Sequence, residues 1–472
     1  MPLEHDAPLP STETARLRGK GAREFHPRTS LADLVDRSPE FDPVAILREQ
    51  DEDRVQELIP LRYERMLESP FTFFRGSAIL QAHDLARSPS TGIDVQLCGD
   101  AHLSNFGIFS SPERRLVFDV NDFDETAPGP FEWDVKRFAA SVAIAAQHLG
   151  HTPQQQERAV LEGVKSYRTS MGQFASEPTL AIWYAAADVD SLVTQLRDFF
   201  PASALEKVSN VVSRAKRKDA TRAFEKLVDI VDGRPRIAYD PPILVPIDRL
   251  FTGEEERVSL SDFLTAVVAG YATSLGSDRQ SLLSQFTPID GARKVVGVGS
   301  VGTRCFILLM LGKDTNDPFF LQIKEAGPSV IDEARGIVSP FTPGDRVVRG
   351  QRLMQATPDM FLGHYPFVGV DGVTRHFYMR QLHDNKASIV IENLDATTLP
   401  IYARVCGWTL AHAHARGGKS VELASYMGKS DKFDHAIVSY ALSYESRNLS
   451  DFAALTRAVK DGRVDSSANT SL

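Results

Sequence analysis

The chain has 472 residues, of which 42% are hydrophobic and 24% are charged, a composition typical of a globular protein with one large core or two to three smaller ones. It carries 53 Lys and Arg residues against 62 Asp and Glu residues, and the net charge of −9 argues against nucleic acid or an anionic membrane as a partner. Its 3 cysteines lie far apart, which excludes a zinc-finger pattern or a disulfide framework and favours a cytoplasmic location.

The beginning of the chain contains no apolar signal segment. Nowhere do about 18 apolar residues follow one another, so we expect neither export nor a membrane partner. Residues 1–40 are polar and contain several prolines, which predicts a loosely ordered arm. The first helical pattern covers roughly residues 43–67.

Three short strands are predicted between residues 93 and 122, in the segments IDVQL, NFGIF and RLVFDV. Helices are predicted over residues 130–150, 153–174 and 260–275, where apolar residues recur at helical spacing. The chain returns to strands over residues 294–326, and its last third is predicted to be helical.

A glycine-rich segment has the spacing G-x-G-x-x-G, with Gly297, Gly299 and Gly302 as its glycines and Ser300 between them. Glycines allow backbone amides to approach phosphate oxygens closely. A dinucleotide-binding fold needs a helix directly after the glycines, whereas two apolar strand segments follow here. The segment is therefore predicted to be a β-hairpin that covers ATP phosphates, with Lys324 on the next strand binding them. A tight hairpin with a solvated lysine is the alternative.

In kinases this lysine is paired with a glutamate. Glu333 is the nearest plausible partner along the chain, because Glu325 is adjacent to the lysine and is expected to point away. The helix predicted over residues 345–356 offers only Gln351 and Gln355. Glu333 is therefore predicted to pair with the lysine.

Two acidic segments are predicted to carry the chemistry. CGDAHLSNFG places Asp100 five residues before Asn105, the separation of base and metal-binding asparagine in the kinase catalytic loop. In FDVNDFDE, Asp122 is predicted to chelate Mg²⁺ with Asn105, and Asp124 is a possible second ligand. Asp119 remains an alternative to Asp122. These acids are otherwise interpreted as caps of turns and strand ends.

The segment after these acids indicates the type of kinase. Asp134 in FEWDVKR resembles the buried helix aspartate that holds a kinase catalytic loop from below. It follows Asp122 so closely that no activation segment fits between them, an arrangement that resembles small-molecule kinases. Cys98 stands where those enzymes carry histidine, which leaves the support of the loop open.

Three further groups of residues are candidates for binding a ligand. Arg75, with Arg62 and Arg65 upstream, is a candidate for binding a phosphate or an acidic substrate, and surface or structural ion pairing is the alternative. His412 and His414 lie two residues apart on a predicted helix and face different directions, which favours structural roles over metal binding. A basic run at residues 214–218 is interpreted as a solvated face, with steering of an anionic substrate as the alternative.

The order of these motifs is the reverse of that in an ordinary kinase, because Asp122 precedes Lys324 by about two hundred residues. A single cut before the strand that leads to Asp100 restores the order of glycines, lysine, helix, base and metal acids. We therefore predict an α+β fold of the protein-kinase-like, two-lobed type, circularly permuted. Lys324 should then lie within a few ångströms of Asp122, and Gly418 should lie close to Asp94.

The chain is identified as a member of the bacterial family called domain of unknown function 2252, which is grouped with kinase-like proteins such as aminoglycoside and choline kinases. The resemblance covers roughly residues 20–465. One departure is Arg349, where glutamate is expected. The similar segments are RYERMLESPFTFFRGSA, CGDAHLSNFG, FDVNDFDETAPGPFEWDVKRFAAS, KVVGVGSVGTR, RVVRGQRLMQA and YMRQLHDNK.

The resemblance implies a mostly helical larger lobe and a small antiparallel-sheet lobe that binds nucleotide. Because the family has no established substrate, the resemblance supports the fold more than the reaction. The motifs themselves predict ATP- and Mg²⁺-dependent phosphoryl transfer to an unidentified small-molecule or protein hydroxyl. The alternatives are AMP transfer to a protein at the same site, and a non-catalytic nucleotide-binding or scaffold protein. The expected divisions are an arm at 1–40, a helical lobe with the catalytic loop at 41–285, a nucleotide-binding lobe at 286–385, helices completing the large lobe at 386–465 and a tail at 466–472.

Overall fold

The computed structural model describes residues 11–190, 220–250, 260–369, 371–382 and 387–466. Helices and sheets alternate along these ranges, which confirms the predicted α+β class. The basic run at 214–218 lies outside the described residues.

The α-helices of the described ranges follow in chain order. They are α1 (Thr12–Phe25), α2 (Pro43–Asp51), α3 (Ile59–Leu67), α4 (Pro70–Gly76), α5 (Ala78–Ala86), α6 (Phe131–His148), α7 (Pro153–Phe174), α8 (Thr179–Tyr184), α9 (Ala220–Leu227), α10 (Leu260–Ala272), α11 (Ser277–Leu283), α12 (Val330–Arg335), α13 (Pro343–Met354), α14 (Thr398–Arg416), α15 (Ser420–Met427) and α16 (Lys432–Lys460).

The β-strands of the same ranges are also given in chain order. They are β1 (Asp94–Leu97), β2 (Phe106–Ser110), β3 (Leu116–Val120), β4 (Ala127–Pro130), β5 (Val228–Val231), β6 (Arg234–Ile237), β7 (Leu244–Pro246), β8 (Thr287–Lys294), β9 (Cys305–Leu311), β10 (Pro318–Ala326), β11 (Gly363–Val368), β12 (Thr374–Gln381) and β13 (Ala387–Ser388).

The largest sheet has six antiparallel strands in the order β11-β12-β10-β9-β8-β7. Successive residues of β9 face opposite sides of it, as strand geometry requires. Leu308 and Met310 join a cluster with Leu264 of α10, whereas Ile307 and Leu309 join a cluster on the other face. Both faces of the central strands are therefore buried, which explains the continuous apolar run in β9.

The six-stranded sheet begins earlier in the sequence than predicted. Leu244 of β7 pairs with Lys294 of β8, and α10 packs on the sheet through Leu264. Strand β7 and helix α10 therefore pack with the sheet that the predicted lobe at 286–385 contains. Strand β7 has only 3 residues, so the alternation of apolar and polar residues that identifies a strand in a sequence is too short to be recognised there.

A second core joins the helices with the small sheets. The three-stranded sheet has the order β13-β2-β3, and β1 pairs with β4. Helix α6 crosses this core with Phe131, Val135 and Phe138 fully buried. Thr152 and Gln155 form a capping box that starts α7, as expected from the polar residue before a helix-initiating proline.

Part of the predicted N-terminal arm is a packed helix, so that prediction is wrong for residues 12–25. Ser11 caps α1 by accepting a bond from Thr14 N at 3.3 Å. A Cβ added to Gly19 would lie 2.2 Å from Glu422 O, so α1 approaches α15 closely. Arg23 Nε donates to Tyr426 O at 2.5 Å. The docking partner lies at the far end of the sequence, where local composition carries no signal.

The end of α14 lies beside the start of β1. Lys419 directly follows Gly418, and its Nζ donates to Asp94 O at 2.6 Å. The residue after Gly418 therefore contacts the first residue of β1, and the closeness of Gly418 itself to Asp94 stays a prediction. Within the described ranges, none of the helices has both the length and the apolar character needed to cross a bilayer.

Candidate functional site

A cavity of about 660 Å³ brings most of the predicted site residues together. Its wall contains, among others, Asp100, Asn105, Asp122, Asp124, Gly297, Gly299, Ser300 and Glu333. Lys324 is 3% exposed and lies behind the acids. Segments that are two hundred residues apart therefore contribute to one cavity.

The loop that carries Asp100 is held from below by Asp134. Its two carboxylate oxygens accept bonds from Cys98 N at 2.7 Å and from Gly99 N at 2.9 Å. Gly99 has a φ of 87°, and an added Cβ would lie 2.0 Å from the backbone O of Glu125. Glycine is therefore required at this position. The holding role predicted for Asp134 is present in the geometry.

The histidine missing at Cys98 has a counterpart from another helix. His414 Nε2 lies 3.1 Å from Asp134 Oδ2, and Tyr167 OH lies 2.8 Å from His414 Nδ1. All three side chains are buried. Cys98 supplies its backbone amide, while burial raises the pKa of its thiol well above the usual value. The loop is thus supported without a histidine in the loop itself, and His414 has the structural role predicted for it.

The carboxylate of Asp100 is oriented by Arg137. Arg137 Nε donates to Asp100 Oδ1 at 2.8 Å, and its Nη2 donates to Phe74 O at 2.6 Å. The Asp100 side chain is 18% exposed, so it remains accessible from the cavity. Asn105 Nδ2 donates to Asp100 O at 2.6 Å, which holds these two residues in one loop. Sequence reasoning missed Arg137, although it lies one helical turn after Asp134 and therefore on the same face of α6.

Lys324 is paired with two aspartates instead of Glu333. Its Nζ lies 2.7 Å from Asp124 Oδ2 and 3.3 Å from Asp122 Oδ1. Burial alone would lower the pKa of Lys324, but the two carboxylates raise it well above its usual value. The lysine is therefore held as a cation. Within the described ranges Glu333 forms no ion pair with Lys324, so the predicted pairing is wrong; Glu333 lines another part of the cavity.

The two aspartates differ in their contacts with Lys324. One oxygen of Asp124 lies 2.7 Å from Lys324 Nζ, and the other accepts a bond from Tyr378 OH at 2.6 Å. Asp122 lies farther from Lys324 Nζ, at 3.3 and 3.5 Å. The two side chains are similarly exposed, at 28% and 27%, and both line the cavity. Asp124 is therefore the closer partner of the lysine, and Asp122 stays the predicted metal ligand.

Asp119 has a structural environment away from the cavity. Its carboxylate accepts bonds from Ala356 N at 3.0 Å and from Val120 N at 2.8 Å. The residue is 3% exposed, and burial raises its pKa to about 6. Asp119 therefore lies apart from the cavity that Asp122 lines, and metal binding by Asp122 stays a prediction.

We expect Asp119 to make stability depend on pH. Its pKa is raised in the folded state, so its protonated form stabilises the fold below pH 4, and this contribution is lost as the pH rises through 6. With about 1.4 kcal/mol for each pKa unit, the loss is about 3 kcal/mol. Urea unfolding at pH 4.5 and pH 7 should show that Asp119→Asn reduces this decline. An identical decline in both proteins would contradict the assignment.

The glycine-rich segment is the turn of a β-hairpin between β8 and β9, as predicted. Gly297 and Gly302 have φ values of 64° and 88°, which favour glycine. Arg54 Nη1 donates to Gly299 O at 2.9 Å, and Arg65 Nη1 donates to Gly297 O at 2.7 Å. These arginines tie the carbonyls of the turn to helix α3 and the segment before it.

Three backbone amides of the same turn make no hydrogen bond that stabilises the described part of the fold. The N–H groups of Gly299, Ser300 and Gly302 donate no hydrogen bond to any other described residue. Neighbouring unpaired amides of this kind form concave sites for phosphate oxygens. Gly302 itself lies against the side chain of Arg54 and is not part of the cavity wall.

Helix α13 supports the acidic loop through Arg346 rather than through residue 349. Arg346 Nη2 donates to Asp124 O at 2.8 Å and to Gly327 O at 2.9 Å. The side chain of Arg349 is 60% exposed and pairs with Asp345 one turn earlier. Position 349 therefore faces away from Lys324, and arginine there does not disturb the site.

The cavity offers oxygen donors that suit Mg²⁺. Asp122 supplies a carboxylate, and Asn105 supplies its Oδ1 because its amide nitrogen is bonded to Asp100 O. Among the described residues, no group of three or more His, Cys, Asp and Glu side chains has the arrangement of a complete metal site. Mg²⁺ is commonly held by one or two protein oxygens together with substrate phosphates, and the residues present fit that mode.

Comparison with known families agrees with the sequence motifs. Residues 54–458 match the family domain of unknown function 2252, described as an uncharacterized protein conserved in bacteria. The chain belongs to this family. The match includes the Asp100 loop, the Asp122 segment and the glycine-rich turn of the DUF2252 chain. No curated protein and no solved structure matches it.

Proposed function

We propose that this DUF2252 protein is an ATP- and Mg²⁺-dependent phosphotransferase that acts on a hydroxyl of a small molecule or a protein. The observation that carries the proposal is the meeting of Lys324 with Asp122 and Asp124 across about two hundred residues. This charge cluster borders the cavity that also contains Asp100 and the glycine-rich turn. A cation, metal-binding acids and a base beside unpaired amides are the parts that phosphoryl transfer requires.

The fold is best interpreted as kinase-like, two-lobed and circularly permuted. In this interpretation the six-stranded sheet with its hairpin and Lys324 is the nucleotide-binding lobe, and the helices with the Asp100 loop form the larger lobe. Support comes from the contact between Lys419 and Asp94, which brings the end of α14 to the strand before the catalytic loop. Joins at such positions are compatible with permutation.

Each group has a defined role in the proposed reaction. The amides of Gly299 and Ser300 would bind phosphate oxygens, and Lys324, oriented by Asp124, would bind the α/β-phosphates. Asn105 and Asp122 would hold Mg²⁺, which when bound neutralises charge on the phosphates.

Asp100 would accept the proton of the acceptor hydroxyl. The bond from the γ-phosphorus to the bridging oxygen breaks, and its electron pair remains on ADP. The bond from this phosphorus to the acceptor oxygen forms, and the proton passes from Asp100 to solvent. Arg137 would keep the carboxylate oriented, since its Nε donates to Asp100 Oδ1 at 2.8 Å.

Nucleotide binding and ATP consumption test the proposal directly. We expect ATP with MgCl₂ to raise the thermal unfolding temperature of the protein, because a ligand of the folded state stabilises it. We also expect a metabolite pool to support ATP consumption that EDTA abolishes. Asp122→Ala should lose the Mg²⁺-dependent consumption.

The product distinguishes the activities that this site can support. Mass spectrometry of the acceptor should detect an added phosphate. An added adenylate would overturn phosphoryl transfer in favour of AMP transfer. ATP binding without consumption across the screened pools would favour a non-catalytic nucleotide-binding protein.

A further inference from the structure

One arginine of the cavity wall has no hydrogen-bond or ion-pair partner among the described residues. Arg75 lies in the last turn of α4 and lines the cavity beside Asp100. Its Nε is buried and has no hydrogen-bond partner. Within the described ranges the side chain takes part in no ion pair, in contrast to Arg137 and Arg62, which pair with Asp100 and Asp51.

Such an arrangement favours a ligand. The side chain is only partly exposed, and a partly buried cation gains from a compensating charge or hydrogen bonds. Burial lowers the pKa of Arg75, and Asp100, Glu392 and Glu68 oppose this effect, although none of them forms an ion pair with it in the described ranges. The Asp100 carboxylate is instead bonded to Arg137 at 2.8 Å. An anion entering the cavity would supply the missing partner of Arg75.

The position of Arg75 indicates which anion this is. A Cβ added to Gly299 would lie 3.1 Å from Arg75 O, so the end of α4 packs against the tip of the glycine-rich turn. The positive charge of Arg75 interacts electrostatically with His102 and with the carboxylate of Asp100. Arg75 thus lies between the unpaired amides of the turn and the base. In the proposed reaction, this is where the end of the phosphate chain meets the acceptor.

We propose that Arg75 binds the γ-phosphate of ATP, the group that is transferred. This inference rests on the proposed function and adds a ligand that the kinase-like motifs do not supply. The planar guanidinium can donate two parallel hydrogen bonds to phosphate oxygens. An acidic group on the acceptor has the same chemistry, and the comparison of ATP with ADP separates the two sources.

The experiment measures the dissociation constants of ATP and ADP in the presence of MgCl₂. Variants Arg75→Gln and Arg75→Lys are compared with wild type and with Arg87→Gln, an exposed position with the same loss of charge. We expect Arg75→Gln to weaken ATP binding by roughly 10- to 100-fold, the effect of losing hydrogen bonds to a charged group. ADP binding should change by less than about 2-fold, because ADP lacks the γ-phosphate. Arg75→Lys should lie between wild type and Arg75→Gln.

Folding is checked by thermal unfolding of the nucleotide-free proteins. Because the fold makes no hydrogen bond to Arg75 Nε, Arg75→Gln should not unfold below the wild-type temperature. Unchanged ATP binding in Arg75→Gln would overturn this inference alone, as would an equal loss for ATP and ADP. A wild-type protein that binds neither nucleotide would overturn the proposed function and this inference together.

Discussion

Replacing Asp100 with asparagine should slow ATP turnover by roughly 10²- to 10⁴-fold, the contribution typical of a general base. Asparagine has nearly the same shape and retains an oxygen for Arg137, which donates to Asp100 Oδ1 at 2.8 Å. It cannot accept the acceptor proton. The dissociation constant of ATP should stay within about 2-fold of wild type, since Asp100 acts on the acceptor and not on the nucleotide.

The measurement is steady-state ATP consumption with the acceptor identified by the screen. Asp278→Asn provides a matched control, because this aspartate is 71% exposed at the start of α11 and lies outside the cavity wall. The control should retain wild-type turnover. Wild-type turnover in Asp100→Asn would remove Asp100 from the mechanism and leave the cavity without its assigned base.

Replacing Lys324 with methionine should lower the free energy of unfolding by about 3–5 kcal/mol, the effect of removing one partner from a buried ion pair. The side chain is 4% exposed and balances Asp124 at 2.7 Å and Asp122 at 3.3 Å. Methionine fills similar space but leaves two neighbouring carboxylates without their cation. ATP binding should be lost as well, because the α/β-phosphates lose their positive partner.

A double variant separates these two effects. Adding Asp124→Asn to Lys324→Met removes one of the uncompensated charges and should restore part of the stability, measured by urea unfolding. It should not restore ATP binding. If Lys324→Met changes the free energy of unfolding by less than about 1 kcal/mol, the ion pair is not a stabilising element of the fold.

Features that depend on neighbouring residues were predictable from the sequence. The five-residue separation of Asp100 and Asn105 describes one loop, and the glycines before an apolar strand pair describe one hairpin. Lys324 was predictable because its distance from the turn is set by the length of two strands. The approach of Lys324 to Asp122 followed once the order of the segments was interpreted as a permutation.

The choice of partners was less predictable because it depends on three-dimensional approach. Glu333 is close to Lys324 in sequence, but Asp124 approaches it from a segment two hundred residues away and receives a second bond from Tyr378. Helix α1 was missed for the same reason, since its docking surface is α15. The local composition around Lys324 and around α1 carries no signal for either of these long-range contacts.

The long separation of Lys324 from Asp124 also sets the order in which the site is made during synthesis. The two residues are 200 positions apart, so at 5–20 residues per second the ribosome adds the lysine roughly 10–40 s after the aspartate. During that interval the nascent chain carries its acids without their cation. The pair therefore closes late in translation, after the segments that carry the base and the acids have been synthesised.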